Sequence, residues 1–158
     1  MSKKPSTKDS LKVKGMYRVQ ITEDGKVVGD SGWKENIVVN LGFNKYLVSA
    51  LGSIAGSLQV SHLALGSGGA PAATDTSIAG EVEKRQAVTA ATSSSSKTVR
   101  FTGTFDSANS FLTSSRNLSN VALVNSSATG TIFSGNTYTS STVATNNNVN
   151  VTYDIIFA

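Results

Sequence analysis

Val149-Asn150-Val151-Thr152-Tyr153-Asp154-Ile155-Ile156-Phe157 is the stretch that decides the fold. Val149, Val151, Tyr153, Ile155 and Phe157 fall on one side and Asn150, Thr152 and Asp154 on the other, a period of two that only a half-buried β-strand satisfies. The same alternation recurs upstream. Val99, Phe101, Gly103 and Phe105 alternate with Arg100, Thr102, Thr104 and Asp106, and Val13, Tyr17, Val19 and Ile21 alternate with Lys14, Met16, Arg18 and Gln20. Between Ile21 and Val27 lies Glu23-Asp24-Gly25-Lys26, and Asp-Gly flanked by strands is a hairpin signal because a type I′ turn needs two positive φ values. The return strand breaks at 29–32 and resumes from Trp33 to Val39.

Further strands are expected at 58–65, at 84–92 paired with 97–106 across Ser93 to Ser96, and, shorter, at 121–124 and 131–133. One helix is expected, of about three turns, capped by Asn40 and closed by Gly52, with Phe43, Leu47 and Leu51 along one face beside Tyr46 and Ala50. A single helical turn is expected within 75–83. Seven or eight strands with Gly, Ser and Asn turns predict an all-β fold, an antiparallel jelly-roll-like β-sandwich with one short helix. Residues 13–158 form its one domain, and residues 1–12 an extended basic arm.

Composition narrows the function. The 158 residues contain no cysteine, so thiol nucleophiles, disulfides and Cys-based zinc sites are excluded. Ser, Thr and Asn make up 53 residues, a third of the chain, and charged residues only 15%. No apolar run approaches the roughly 18–20 residues that span a bilayer, and no hydrophobic leader core follows Lys3 and Lys4, so a membrane partner is not expected. The net charge of +4 is unevenly placed. Lys3, Lys4, Lys8, Lys12 and Lys14 oppose Asp9 alone in the first 14 residues, while the rest of the chain balances nine basic against nine acidic side chains. A cationic arm on a neutral body predicts contact with an anionic surface. From Asn117 to Ala158 the only charge is Asp154, and so poorly solvated a region predicts burial against other subunits. Thr131, Phe133, Thr137 and Tyr138 are its candidate oligomer-interface residues.

Residues able to support chemistry are few. His62 is the only histidine, no nucleophile-elbow sequence accompanies it, and one histidine without cysteine does not make a transition-metal site. Glu81 and Glu83 are better placed for ion pairs with Lys84 or Arg85 than for an acid/base pair. Gly66-Ser67-Gly68-Gly69 lacks the Gly-Lys-Ser/Thr ending of a phosphate loop and reads as a turn. The arm carries no aromatics, and neither a recognition helix nor a stacking platform goes with it, so nucleic acid is not the expected partner. The reading is of a non-enzymatic protein with no catalytic residue, metal, cofactor or small-molecule substrate.

Three groups of residues occur in an order that resembles the small virion structural proteins of tailed bacteriophages. Asp24-Gly25-Lys26-Val27-Val28, Gly32-Trp33 and Asn36-Ile37-Val38-Val39-Asn40-Leu41-Gly42 are similar to their opening hairpin and the approach to a helix. His62-Leu63-Ala64-Leu65-Gly66-Ser67-Gly68, with Pro71, Thr74-Asp75-Thr76 and Glu81, resembles their next landmark. Asn120-Val121-Ala122-Leu123, Ile132-Phe133 and the terminal strand resemble their ending. Asn120 stands where that family usually has Glu, and Ala122 where it has Gly. The resemblance spans about residues 17–158 and implies a β-sandwich component of capsids, tails or fibres. The expected role is capsid decoration: a homo-oligomer, expected to be a trimer, that cements the major capsid protein from the outer surface of the head after synthesis in the bacterial host cytoplasm. The alternative is a tail, baseplate or tail-fibre component that contacts the host surface.

Overall fold

The computed structural model describes residues 12–52, 55–93 and 97–158. Strand β1 (Val13–Glu23) turns at Asp24 and Gly25, both at positive φ as a type I′ turn requires, into β2 (Lys26–Asp30). Then follow β3 (Lys34–Val38), a helical segment α1 built of Gly42–Val48 and Ser49–Leu51, and β4 (His62–Gly66). After a long crossover come β5 (Gln86–Ala87), β6 (Thr89–Ser93), β7 (Thr98–Phe105), β8 (Arg116–Val124), β9 (Ile132–Val143) and β10 (Asn148–Phe157). Every pairing is antiparallel. The all-β, antiparallel reading with one short helix therefore holds.

The strands join in the order β5-β4-β8-β9-β3-β1-β10-β7-β6, with β2 pairing β1 alone. Two strands turn corners. In β3, 34–36 pair with β1, whereas Ile37 and Val38 pair with β9. At the other corner β5 pairs with β4 and β6 with β7, separated only by Val88, whose N–H is donated to Ser61 O. These crossings bring the two ends of the sheet together as a nearly closed, barrel-like structure, which removes most of the exposed edge that an open sheet leaves.

The alternating residues that mark β1, β7 and β10 fill the interior. Tyr17, Val19, Ile21, Phe101, Phe105, Val149, Val151, Tyr153 and Ile155 are buried with Leu63, Leu65, Leu118 and Leu123 from the facing strands. On the opposite side of β4, β8 and β9, a second cluster of Ala64, Ala122, Val124 and Ile132 packs beneath Val39 and Ile78. That half of the sheet is thus buried on both faces, which explains why 121–124 is a continuous apolar run rather than an alternating one.

Four expectations are corrected. The short candidates at 121–124 and 131–133 are the middle and the start of two long strands, β8 and β9. Within β9 the small, polar run Ser134-Gly135-Asn136-Thr137-Tyr138-Thr139-Ser140-Ser141-Thr142 is held extended by its ladder to β8. Residues 75–83 form turns, not a helical turn. Finally, α1 is largely π-helical, which shifts its faces by widening each turn. Tyr46 is buried and Leu47 half-buried, while Phe43 and Ala50 are exposed and Leu51 is 89% exposed. Leu41, not Asn40, stands at its N-cap, without a side-chain capping bond.

Two glycines matter for close approach. A Cβ on Gly15 would overlap the carboxamide of Asn36, and one on Gly42 would lie 2.1 Å from the carbonyl oxygen of Phe133. Gly42→Ala is expected to lower stability by about 2 kcal/mol or more despite the better helix propensity of alanine, because backbone cannot yield as a side chain does. Gly69→Ala, which meets open space, should stay within about 0.5 kcal/mol in the same urea titration.

Four buried tyrosines set an alkaline limit. Burial pushes Tyr17 up to about 12 and raises Tyr46, Tyr138 and Tyr153 as well. Unfolded tyrosine ionises near pH 10, so the unfolded chain loses protons first, and stability present below about pH 10 should fall as pH rises towards 12. Each tyrosine adds about 1.4 kcal/mol per pH unit to that slope. Urea melts of Tyr17→Phe across pH 9–11 should show a shallower decline than wild type.

Candidate functional site

The barrel has two unlike ends. The start of β1, the end of β10, the start of β7, helix α1 and the chain leading into β4 meet at one end. Lys12 N–H donates to Ala158 O at 2.7 Å and Ala158 N–H returns a bond to Lys12 O at 2.8 Å, so the arm enters the barrel beside the last residue. Lys12 therefore already belongs to the sheet, and Lys14 pairs with Ile156 in the ladder; both side chains are exposed. Lys3, Lys4 and Lys8 lie outside the described residues.

Two more lysines share this end, and the sequence reading did not single them out. The N–H of Phe157 is donated to Lys97 O at 3.0 Å, and that of Leu58 to Lys45 O at 2.8 Å. Lys45 and Lys97 are exposed, and none of Lys12, Lys14, Lys45 and Lys97 forms an ion pair among the described residues. Phe157 and Leu58 also line a cavity of about 260 Å³ that opens at this end. Its other walls include Leu47, Val60, Phe133 and Ile155, with Gln59 supplying a polar group. Period-two reasoning marks Phe157 as apolar but does not reveal that the loop before β4 and the helix meet it.

The interface candidates divide. Phe133 and Tyr138 are buried within the chain, the first against the Tyr46 ring, where it lines the cavity, and the second within the main cluster. Thr131 and Thr137 are half-buried, and their carbonyls accept the hydroxyls of Tyr46 and Tyr17. Exposed, uncharged surface in this region comes instead from Asn117, Thr139, Ser140 and Thr142.

His62 is half-buried, with Nδ1 2.8 Å from Ser61 Oγ; burial and then the nearby Arg85 charge lower its pKa. Glu81 forms a two-point ion pair with Arg85, whose side chain is 5% exposed and also donates to Ser126 O at 3.0 Å. Glu83 instead lies 3.6 Å from Arg116 and accepts from the Thr113 hydroxyl. Asn120 is fully buried, and its amide donates to Gly69 O and Ala79 O, tying down the 67–82 crossover. Its side-chain oxygen has no partner, so a glutamate at this position would bury a charge.

Comparison with protein-family models, curated proteins and solved structures finds no match to this chain.

Because Arg85 is nearly buried, Glu81→Gln should not be neutral. It leaves the guanidinium without its counter-charge and is expected to cost about 1–3 kcal/mol in thermal or urea unfolding. Glu83→Gln, at a more exposed pair, should fall within about 0.5 kcal/mol.

Proposed function

We propose that this chain is a non-enzymatic virion structural protein of a tailed bacteriophage, acting as a capsid decoration protein on the outer surface of the head. The observation that carries the reading is the separation of charge: a lysine-rich arm with almost no compensating acid continues from one end of a neutral barrel. The ordered resemblance of residues 17–158 to phage structural proteins supports it. A pressurised shell gains stability from anything that binds only its assembled form, and an arm reaching across subunits of the major capsid protein would supply such binding. A homotrimer would multiply weak contacts through avidity. In this reading the subunits meet through the charge-poor surface around Asn117, Thr139 and Thr142. The barrel is then a jelly-roll-like sandwich closed at its edges, its two halves facing as layers.

A tail, baseplate or fibre role has its own supporting observation. The outer side of β7 and β10 carries a groove of about 330 Å³ lined by Thr89, Thr102, Thr104, Asn150, Thr152 and Gln86. Uncharged hydroxyls and amides of this kind can bind a host-surface glycan. Quantifying the protein in purified particles separates the two: many copies over the head support decoration, and a few at the tail support the alternative.

Deleting residues 2–10 leaves every described residue of the barrel in place, so the thermal midpoint should hardly change. Attachment to particles should fall at least about tenfold and lose much of its salt sensitivity, since each 1.4 kcal/mol is a factor of ten and screening acts over about 8 Å at physiological ionic strength. Equal binding of the truncated and full chains at every salt concentration would defeat the role of the arm.

A further inference from the structure

The arm does not enter the barrel at an arbitrary place. It enters at the end where the 260 Å³ apolar cavity opens, with Lys45 and Lys97 joined by backbone hydrogen bonds to two of its lining residues and Lys12 and Lys14 on the outer face of the adjoining strand, all four without ion-pair partners among the described residues. Two lining residues, Leu58 and Phe157, are hydrogen-bonded through their backbones to Lys45 and Lys97, so each of these lysines is held next to an apolar wall residue. Helix α1 contributes Leu47 to the wall and leaves Val48 and Leu51 exposed next in sequence. A free monomer gains nothing by holding so much apolar surface open at a positively charged end.

We infer that this end is a docking socket for an acidic protein segment that inserts one or two large apolar side chains into the cavity. The inference rests on the decoration reading and names the chemistry of the partner surface. Charge decides the occupant. A second copy of this chain would bring its own lysines to the rim, and the basic arm would meet like charge there, whereas a segment rich in Asp and Glu is attracted by the rim and anchored by the pocket. The cavity is smaller than the roughly 300–1,000 Å³ of most small-molecule sites, which fits an anchoring side chain better than a cofactor. An apolar anchor within a polar, charged ring is also how binding energy concentrates in protein interfaces.

The test uses the full chain and a fluorescein-labelled peptide, Asp-Glu-Leu-Phe-Asp-Glu, with Lys-Lys-Leu-Phe-Lys-Lys and Asp-Glu-Gly-Gly-Asp-Glu as controls. Only the first should bind, with an affinity that falls as salt is added. The double variant Lys45→Glu/Lys97→Glu should weaken it at least about fivefold, as should Val60→Trp, which fills the cavity. Circular dichroism checks folding; if Val60→Trp does not fold, the surface charge variant decides. No binding of the acidic apolar peptide, equal binding of both apolar peptides, or indifference to the charge variant overturns the inference. So does sedimentation showing a wild-type oligomer that the charge variant or Val60→Trp dissociates, which would assign the cavity to a second copy. Particle binding keeps the two readings apart: if Lys45→Glu/Lys97→Glu attaches to shells like wild type, the socket fails and decoration stands, whereas wild type that does not attach defeats decoration itself.

Discussion

The structure depends on a small polar cluster where β3 passes from one half of the sheet to the other. The Tyr153 hydroxyl, wholly buried, accepts from the Asn36 amide and from Ser134 Oγ, while the neighbouring Tyr17 hydroxyl is donated to Thr137 O. The two rings stack with centroids 5.6 Å apart. Three strands, β3, β9 and β10, meet at one oxygen, and Gly15 opposite Asn36 in β1 leaves room for its carboxamide. An unsatisfied buried hydroxyl costs about 1–3 kcal/mol, so register errors in β3 or β9 that break these bonds are penalised at once. A purely apolar corner would tolerate a slip far better.

The two halves of the sheet are consequently used differently. Around β4, β8 and β9 both faces are covered, the outer one by the crossover that carries Ile78 and is tied down by Asn120. Around β6, β7, β10 and β1 the buried apolar side chains are on the inner face, and the outer face holds Thr, Asn and the Arg100–Asp154 ion pair, with Arg100 5.8 Å from the ring of Trp33. Buried apolar contacts are therefore concentrated in the first half, and neutral hydrogen-bonding surface in the second. The corners separate them.

Charge follows the same economy. Four of the nine acidic side chains of the body form ion pairs, Asp30 with Arg18, Glu81 with Arg85, Glu83 with Arg116 and Asp154 with Arg100. The Arg18 guanidinium holds Asp30 well below the usual carboxylate range. Arginines are consumed within the barrel by their bidentate geometry, while among the described residues the lysines of the arm end form no ion pair. Net positive charge becomes a local feature of one end rather than a diffuse property of the surface, and a local field is what steers one surface against another.

By itself the sequence determined the alternating strands β1, β7 and β10, the Asp24-Gly25 hairpin, the absence of thiol chemistry and the cationic arm. Each is a local property: a side-chain period, a turn that needs positive φ, a composition. The length of β9, the faces of α1 and the burial of Phe133 and Tyr138 were decided by tertiary structure. A Ser/Thr/Asn run becomes a strand only when a partner ladder satisfies its backbone, and a helix chooses its buried face according to what it packs against. The socket belongs wholly to the second class, because Lys45, Leu58, Lys97 and Phe157 are far apart in the chain and share no motif. They meet only because antiparallel strands return to the same end of the barrel, where backbone hydrogen bonds join each lysine to an apolar wall residue.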